Sequence, residues 1–252
     1  MTVRRGVLVG VAAYLLFLVA TAPAAWAVRL LESRLPGLQA SGVSGSLWSG
    51  RAQRLSIDNI TVTDLDWSWR PLAVLLGRAE YRLRGQWLAS PVSLRAGVGV
   101  TGSAYLADVS AKVVAQALLE QLYPQAASLN GQLTMELDTV DFSTQGQLPL
   151  ISGDIHWQQA GLDTPVNLRL GEVALLLTPA DDKTTGTLNA KGGQLLVDGE
   201  LSLAPAGGYT LDAKIRANGQ LPSAVENGLR TFADYKNGEY QLKLNGNLFS
   251  LL

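Results

Sequence analysis

Residue types that carry chemistry are scarce in this chain: it holds one histidine and no cysteine among 252 residues. His156 stands alone, so neither a Ser-His-Asp relay nor a multi-histidine metal site can be assembled around it. It falls on the polar side of the alternation between Ile155 and Trp157 and reads as a solvated strand histidine. Gly97-Val98-Gly99-Val100-Thr101-Gly102 spells the dinucleotide fingerprint. Residues 103–109, however, continue in extended alternation, so no helix opens there to receive a pyrophosphate, and the glycines read as strand curvature or a bulge. Asp181-Asp182-Lys183 is a polar turn, and Glu136 and Asp138 lie on an exposed strand face without a basic or metal-ligating companion. Nothing in the spacing favours a glycosidase-type carboxylate pair. The absence of thiols removes disulfides, thiolate metal sites and cysteine nucleophiles. No catalytic, cofactor-binding or metal-binding residue is assigned, and the expectation is a protein that is not an enzyme and carries no cofactor.

Charge excludes a further class of partner. The 20 basic and 21 acidic residues are scattered singly and sum to −1, which leaves no electrostatic footprint for nucleic acid. Tryptophan is more telling. Gly45-Ser46-Leu47-Trp48-Ser49-Gly50-Arg51 and Leu65-Asp66-Trp67-Ser68-Trp69-Arg70-Pro71 concentrate three of the six tryptophans in two short tracts. Tryptophan suits a headgroup interface or a partner surface, so Trp48, Arg51, Trp67 and Trp69 are the candidate interface contacts. Trp67 and Trp69 share the apolar side with Leu65 and also read as core; Trp48, between glycines, fits either role.

Those tracts follow an uncharged, almost wholly apolar run. Arg4 and Arg5 precede residues 6–28, and Arg29 closes them. As a helix, such a run spans roughly 30 Å of hydrocarbon, so it predicts a membrane anchor carried by Val7, Leu8, Val11, Leu15, Leu16, Phe17, Leu18 and Val19. A cleaved signal peptide is the rival reading, with Ala25-Trp26-Ala27 imitating its cleavage site. The apolar core of 7–20 already fills the upper end of a signal h-region and the chain continues uncharged beyond it, which favours the anchor. The basic start places residues 1–5 in the cytoplasm and the remainder across the membrane. Leu35-Pro36-Gly37 ends any helical continuation, so the expected organisation is a tail over 1–5, an anchor over 6–28, a connector over 29–40 and a β-rich domain over 41–252.

Beyond residue 40 the pattern is alternation of apolar and polar residues, the period of strands with one face buried. Ala79, Tyr81, Leu83 and Trp87 alternate with Glu80, Arg82, Arg84 and Gln86; Val92, Leu94, Ala96 and Val98 form another such set, as do Tyr240, Leu242, Leu244 and Leu248. Asn130-Gly131, Gly192-Gly193, Pro205-Ala206-Gly207-Gly208 and Asn237-Gly238 supply turn signals for antiparallel hairpins. The prediction is a mainly β protein, a curved or rolled antiparallel meander of about a dozen strands. Three short helices accompany it: a turn or two from Pro71 to Leu76, a helix from Ala111 to Leu122 capped by Ser110, and one opened by the capping box at Ser223 and running through Phe232. Three small helices cannot cover so many apolar strand faces. The sheet must fold on itself, bury against a partner, or curl into a trough for lipid-like molecules.

The basic start, the anchor and the two tryptophan tracts, the second continuing Leu72-Ala73-Val74-Leu75-Leu76-Gly77, resemble the type II secretion system protein N family over nearly the whole chain. The Gly192-Gly193 to Tyr209 hairpins and Asn237-Gly238-Glu239-Tyr240 extend the likeness. The resemblance implies a single-pass inner-membrane protein of a Gram-negative cell, its bulk in the periplasm, assisting export of folded proteins alongside other secretion subunits. The Trp-Ser-Gly and Trp-x-Pro-Leu tracts are also similar to those of the AsmA and TamB group, which implies a groove that takes lipid acyl chains. Neither likeness brings a catalytic residue with it.

Overall fold

A computed structural model describes residues 7, 10, 11, 14, 17–35, 37–122, 127–142 and 147–247. Leu8, Leu15 and Leu16 of the expected anchor, with residues 1–6, Pro36, Pro124 and Leu248, lie outside that set. One antiparallel sheet dominates. Its strands are β1 (Leu38–Ser41), β2 (Ser44–Gly45), β3 (Ser49–Ile57), β4 (Ile60–Trp69), β5 (Arg78–Trp87), β6 (Ser90–Gly99), β7 (Ala104–Val114) and β8 (Ser128–Phe142). They continue as β9 (Leu150–Thr164), β10 (Leu168–Ala180), β11 (Lys183–Gly192), β12 (Leu195–Leu203), β13 (Gly208–Ala217), β14 (Ala233–Lys236) and β15 (Glu239–Asn247). From β3 to β13 spatial order follows chain order. β15 then pairs with β13, β14 forms the outer edge, and β1 and β2 share the free side of β3. Both edges are therefore short, which limits unwanted strand addition.

The meander is open, and its strands touch chiefly their ladder neighbours. One face is partly sheltered: Leu94, Leu133, Leu168, Leu170 and Leu211 are half-buried, while the fully buried apolar set is dominated by alanines with few large side chains. Cover is local. Leu195, Ile215 and Tyr240 form a buried cluster closed by Leu221, Val225 and Leu229. Two of these closing residues lie on a helix at Ser223–Phe232, whose apolar positions at i and i+4 turn toward the sheet.

Three local expectations are corrected. The helix predicted from Ala111 begins at Ala115 instead: β7 continues to Val114, since Val113 sits in the buried face of the sheet and pairs with Leu133. Asn130-Gly131 is no hairpin turn but lies inside β8, where Gly131 at φ +95° makes an irregularity opposite β9. The Ser223 helix has Pro222 at its cap, with no side-chain capping bond. The turn at Pro71–Leu76 is a 3₁₀ helix closed by Gly77 at φ +70°, a left-handed position that favours glycine. Of the fingerprint-like glycines, Gly97 lies inside β6, Gly99 ends it and Gly102 is in the turn that follows, where Gly99 N–H donates to Ser103 O at 2.9 Å.

The largest correction concerns the continuity of the apolar run over 6–28 as one helix. The described positions within 7–20 are helical and exposed, but one helix does not run through residue 28. Thr21 turns, Pro23 bridges to Ser46, and a separate helix α1 occupies Ala24–Arg34. Proline has no N–H to give the carbonyl four residues back, and its ring crowds that carbonyl. Among the described residues no helix is long and apolar enough to cross a membrane.

Candidate anchoring and interface site

The chain reorganises where the apolar helix meets the sheet. Ser46 N–H donates to Ser49 O at 2.9 Å, which folds 44–50 into a tight hairpin. Gly45 sits at φ +90° and any Cβ there would come within 2.6 Å of Ser49 O. That explains the first glycine of the Gly-Ser-Leu-Trp-Ser-Gly tract. Gly50 has a different reason: it lies opposite Trp67, whose ring covers it so closely that a Cβ would meet the indole. Trp67 Nε1 in turn donates to Ser46 O at 3.2 Å.

This hairpin grips the helix break. Trp48 Nε1 donates to Val19 O at 2.9 Å, and Leu47 N–H donates to Ala22 O at 2.9 Å. In an uninterrupted helix Val19 O would accept from residue 23, which is a proline; the indole supplies a donor in its place. Trp48 stacks on Trp69 with ring centroids 4.6 Å apart at 52°, and Trp69 N–H donates to Trp48 O at 2.7 Å. The three tryptophans are thus brought together, all half-buried, by the register of β3 on β4. Arg51 lies outside the clasp. Its guanidinium binds both carboxylate oxygens of Asp66 at 2.6 and 3.2 Å, directly opposite on β4, on an exposed face.

Next to the clasp is a charged cluster with no warning in the sequence. Glu80, on the polar side of β5, is only 3% exposed. Arg70 Nη1 reaches its Oε1 at 2.5 Å, Tyr105 OH donates to its Oε2 at 2.9 Å, and Arg95 Nη1 lies 3.5 Å from Oε1. Arg95 also pairs with Asp108 at 2.5 Å. Register creates the burial: Gly97 sits between Glu80 and Tyr105 on the ladder, and its missing side chain lets the tyrosine ring lie across it. Burial pushes the Glu80 carboxyl up, but the hydrogen bonds from Tyr105 and Arg70 and the charges of both arginines outweigh it and hold the group below the ordinary range. The hydrogen bond from Arg95 lowers Asp108 likewise.

Both Glu80 oxygens have partners, so the cluster ties β5 to Arg70, Arg95 and Tyr105. His156 is exposed on β9. Among the described residues no group of three or more His, Cys, Asp or Glu is placed to hold a metal ion. What the region offers is a rigid junction between an apolar helix and one end of a sheet.

The profile of the family described as "Type II secretion system (T2SS), protein N" matches residues 36–244. A protein named "Type II secretion system protein N" from Aeromonas hydrophila is 31% identical over 224 residues, covering 86% of this chain and 87% of its own. Proteins of the same name from Vibrio cholerae serotype O1 and Pectobacterium carotovorum subsp. carotovorum are each 27% identical, over 77% and 92% of this chain and 78% and 92% of theirs. No solved structure matches the chain.

Proposed function

We infer the role of this chain from the family it belongs to, that of type II secretion system protein N: it is an assembly or scaffold component of the secretion machinery, anchored in the inner membrane and working in the periplasm. Family membership establishes it as a secretion-system component. The anchored scaffold role is the reading best supported by the clasp between the amino-terminal helix and the sheet, because Trp48 and Leu47 fix an apolar helix to one end of the sheet. On this reading residues 1–5 stay cytoplasmic, the apolar helix enters the bilayer, and the sheet offers its exposed polar surface near Arg51 to other secretion subunits.

Photoreactive residues at positions 49 and 51, both exposed, should crosslink in cells to another secretion subunit, and a periplasm-dependent reporter fused after Leu252 should be active. A scan of that surface without crosslinks would overturn the scaffold role. A second reading has its own support: among the described residues the half-buried apolar sheet face has no second layer over most of its length, which suits lipid acyl chains. Co-purified phospholipid, displaced by a charge at Leu94 without unfolding, would favour that alternative.

A further inference from the structure

The 3₁₀ turn Pro71–Leu76 displays its apolar side chains to solvent. Leu72, Leu75 and Leu76 are 76%, 83% and 78% exposed, and Val100, which packs beside Gly77, is 86% exposed. An isolated exposed leucine is ordinary, but three exposed leucines on one turn with Val100 beside them form a contiguous apolar patch of the kind that marks an interaction surface. Its place in the fold indicates what covers it. Trp69, two residues before Pro71, stacks on Trp48, and Trp48 holds Val19 of the apolar amino-terminal helix. The turn therefore sits at the end of the sheet to which that helix is tied. On the same end α1 exposes Trp26 and Leu30 beside Arg29, and Arg78 stands next to the turn with its guanidinium over Tyr105. Apolar side chains with tryptophan and arginine at their margin match the boundary between acyl chains and anionic headgroups.

We propose that the Leu72–Leu75–Leu76 turn with Val100 inserts into the bilayer surface as a second membrane contact, so that the sheet stands end-on to the membrane. The proposal rests on the reading that the amino-terminal helix lies in that bilayer. The chain has no cysteine, so single nitroxide labels can be placed on Leu75→Cys, Phe17→Cys and Ile60→Cys. Phe17 reports on the apolar helix. Ile60 is exposed at the opposite end of β4.

The full chain is reconstituted in phosphatidylethanolamine and phosphatidylglycerol vesicles, and each label is probed with oxygen, which enters lipid, and with a water-soluble nickel chelate. Positions 17 and 75 should lose nickel accessibility and gain oxygen accessibility relative to position 60. A label at 75 as water-exposed as that at 60, with 17 in lipid, overturns the loop contact and leaves the anchor standing. If 17 is aqueous, the anchoring reading fails and takes this one with it. Shielding of 75 from both probes together with spin–spin broadening assigns the patch to a second copy of the chain. A lipid-embedded label at 60 refutes the end-on placement.

Discussion

Trp48 and Val19 lie 29 positions apart in the chain and are joined by one hydrogen bond, from the indole Nε1 to the carbonyl oxygen, at 2.9 Å. The bond falls where Pro23 withholds a helical donor; Val19 O also accepts from Ala22 N–H at 3.3 Å, and the shorter bond from the indole ties this end of the amino-terminal helix to the sheet.

Removing that donor should loosen the junction without opening the sheet. Trp48→Phe keeps an aromatic ring against Trp69 and loses the N–H, at an expected cost of about 0.5–1.5 kcal/mol. The readout is amide hydrogen exchange at Leu47, whose N–H donates to Ala22 O; it should accelerate several-fold relative to amides in β9 and β10. Unchanged exchange would show that backbone bonds hold the break unaided.

Glu80 ties the start of β5 to Arg70, Arg95 and Tyr105. Glu80→Gln should cost about 1–3 kcal/mol at neutral pH, since it leaves arginine donors partly sheltered without their anion. The pH dependence follows from the depressed carboxyl. Its contribution is complete above the ordinary glutamate value and is lost as pH falls through the lower folded value, so the gap between wild type and variant narrows below about pH 4. Thermal unfolding of the full chain in detergent, followed by circular dichroism, measures this. A gap that stays constant on acidification would mean that Glu80 is not ionised in the cluster.

Gly97 and Tyr105 are energetically coupled if the ring needs the vacant space. A Cβ at Gly97 would lie 2.6 Å from Tyr105 Cζ, so Gly97→Ala should destabilise by about 1–3 kcal/mol in the wild-type background. In a Tyr105→Ala background the obstruction is gone and the same substitution should cost little, because alanine suits a strand better than glycine does. A double-mutant cycle in the same unfolding assay should give a coupling of about 1 kcal/mol or more; additive effects would refute the arrangement.

The alternation of apolar and polar residues was sufficient to read the meander, because each strand's pattern is local and the hairpin turns carry their own residues. Gly192-Gly193, Pro205 to Gly208 and Asn237-Gly238 all fall at the junctions of consecutive strands, with Gly192 closing β11 and Gly208 opening β13. Where pattern and structure differ along the sheet, a tertiary contact overrides a local signal. Residues 111–114 have helical spacing but pair with β8, and Asn130-Gly131 has turn composition but is held in a ladder with β9. The apolar run over 6–28 looked continuous because hydropathy averages over Pro23, whose effect on helix geometry it does not register. The tryptophans were identifiable from their tracts, although the donor role of Trp48 was not, since its acceptor lies far away in the chain. Glu80 gave no signal at all: in sequence it is one more polar residue on a wet face, and only the ladder register of Glu80, Gly97 and Tyr105 buries it.

The strand order has a bearing on how the molecule comes into being. From β3 to β13 each strand pairs with the one made just before it, so a chain delivered amino end first can zip up in sequence, no strand waiting with an unsatisfied edge for a distant mate. After β13 the last hairpin departs from that queue: β14 emerges first yet must step aside for β15 to join β13. The partner of β13 is thereby deferred to residues 239–247, and a chain interrupted before them is left with β13 as a bare growing edge.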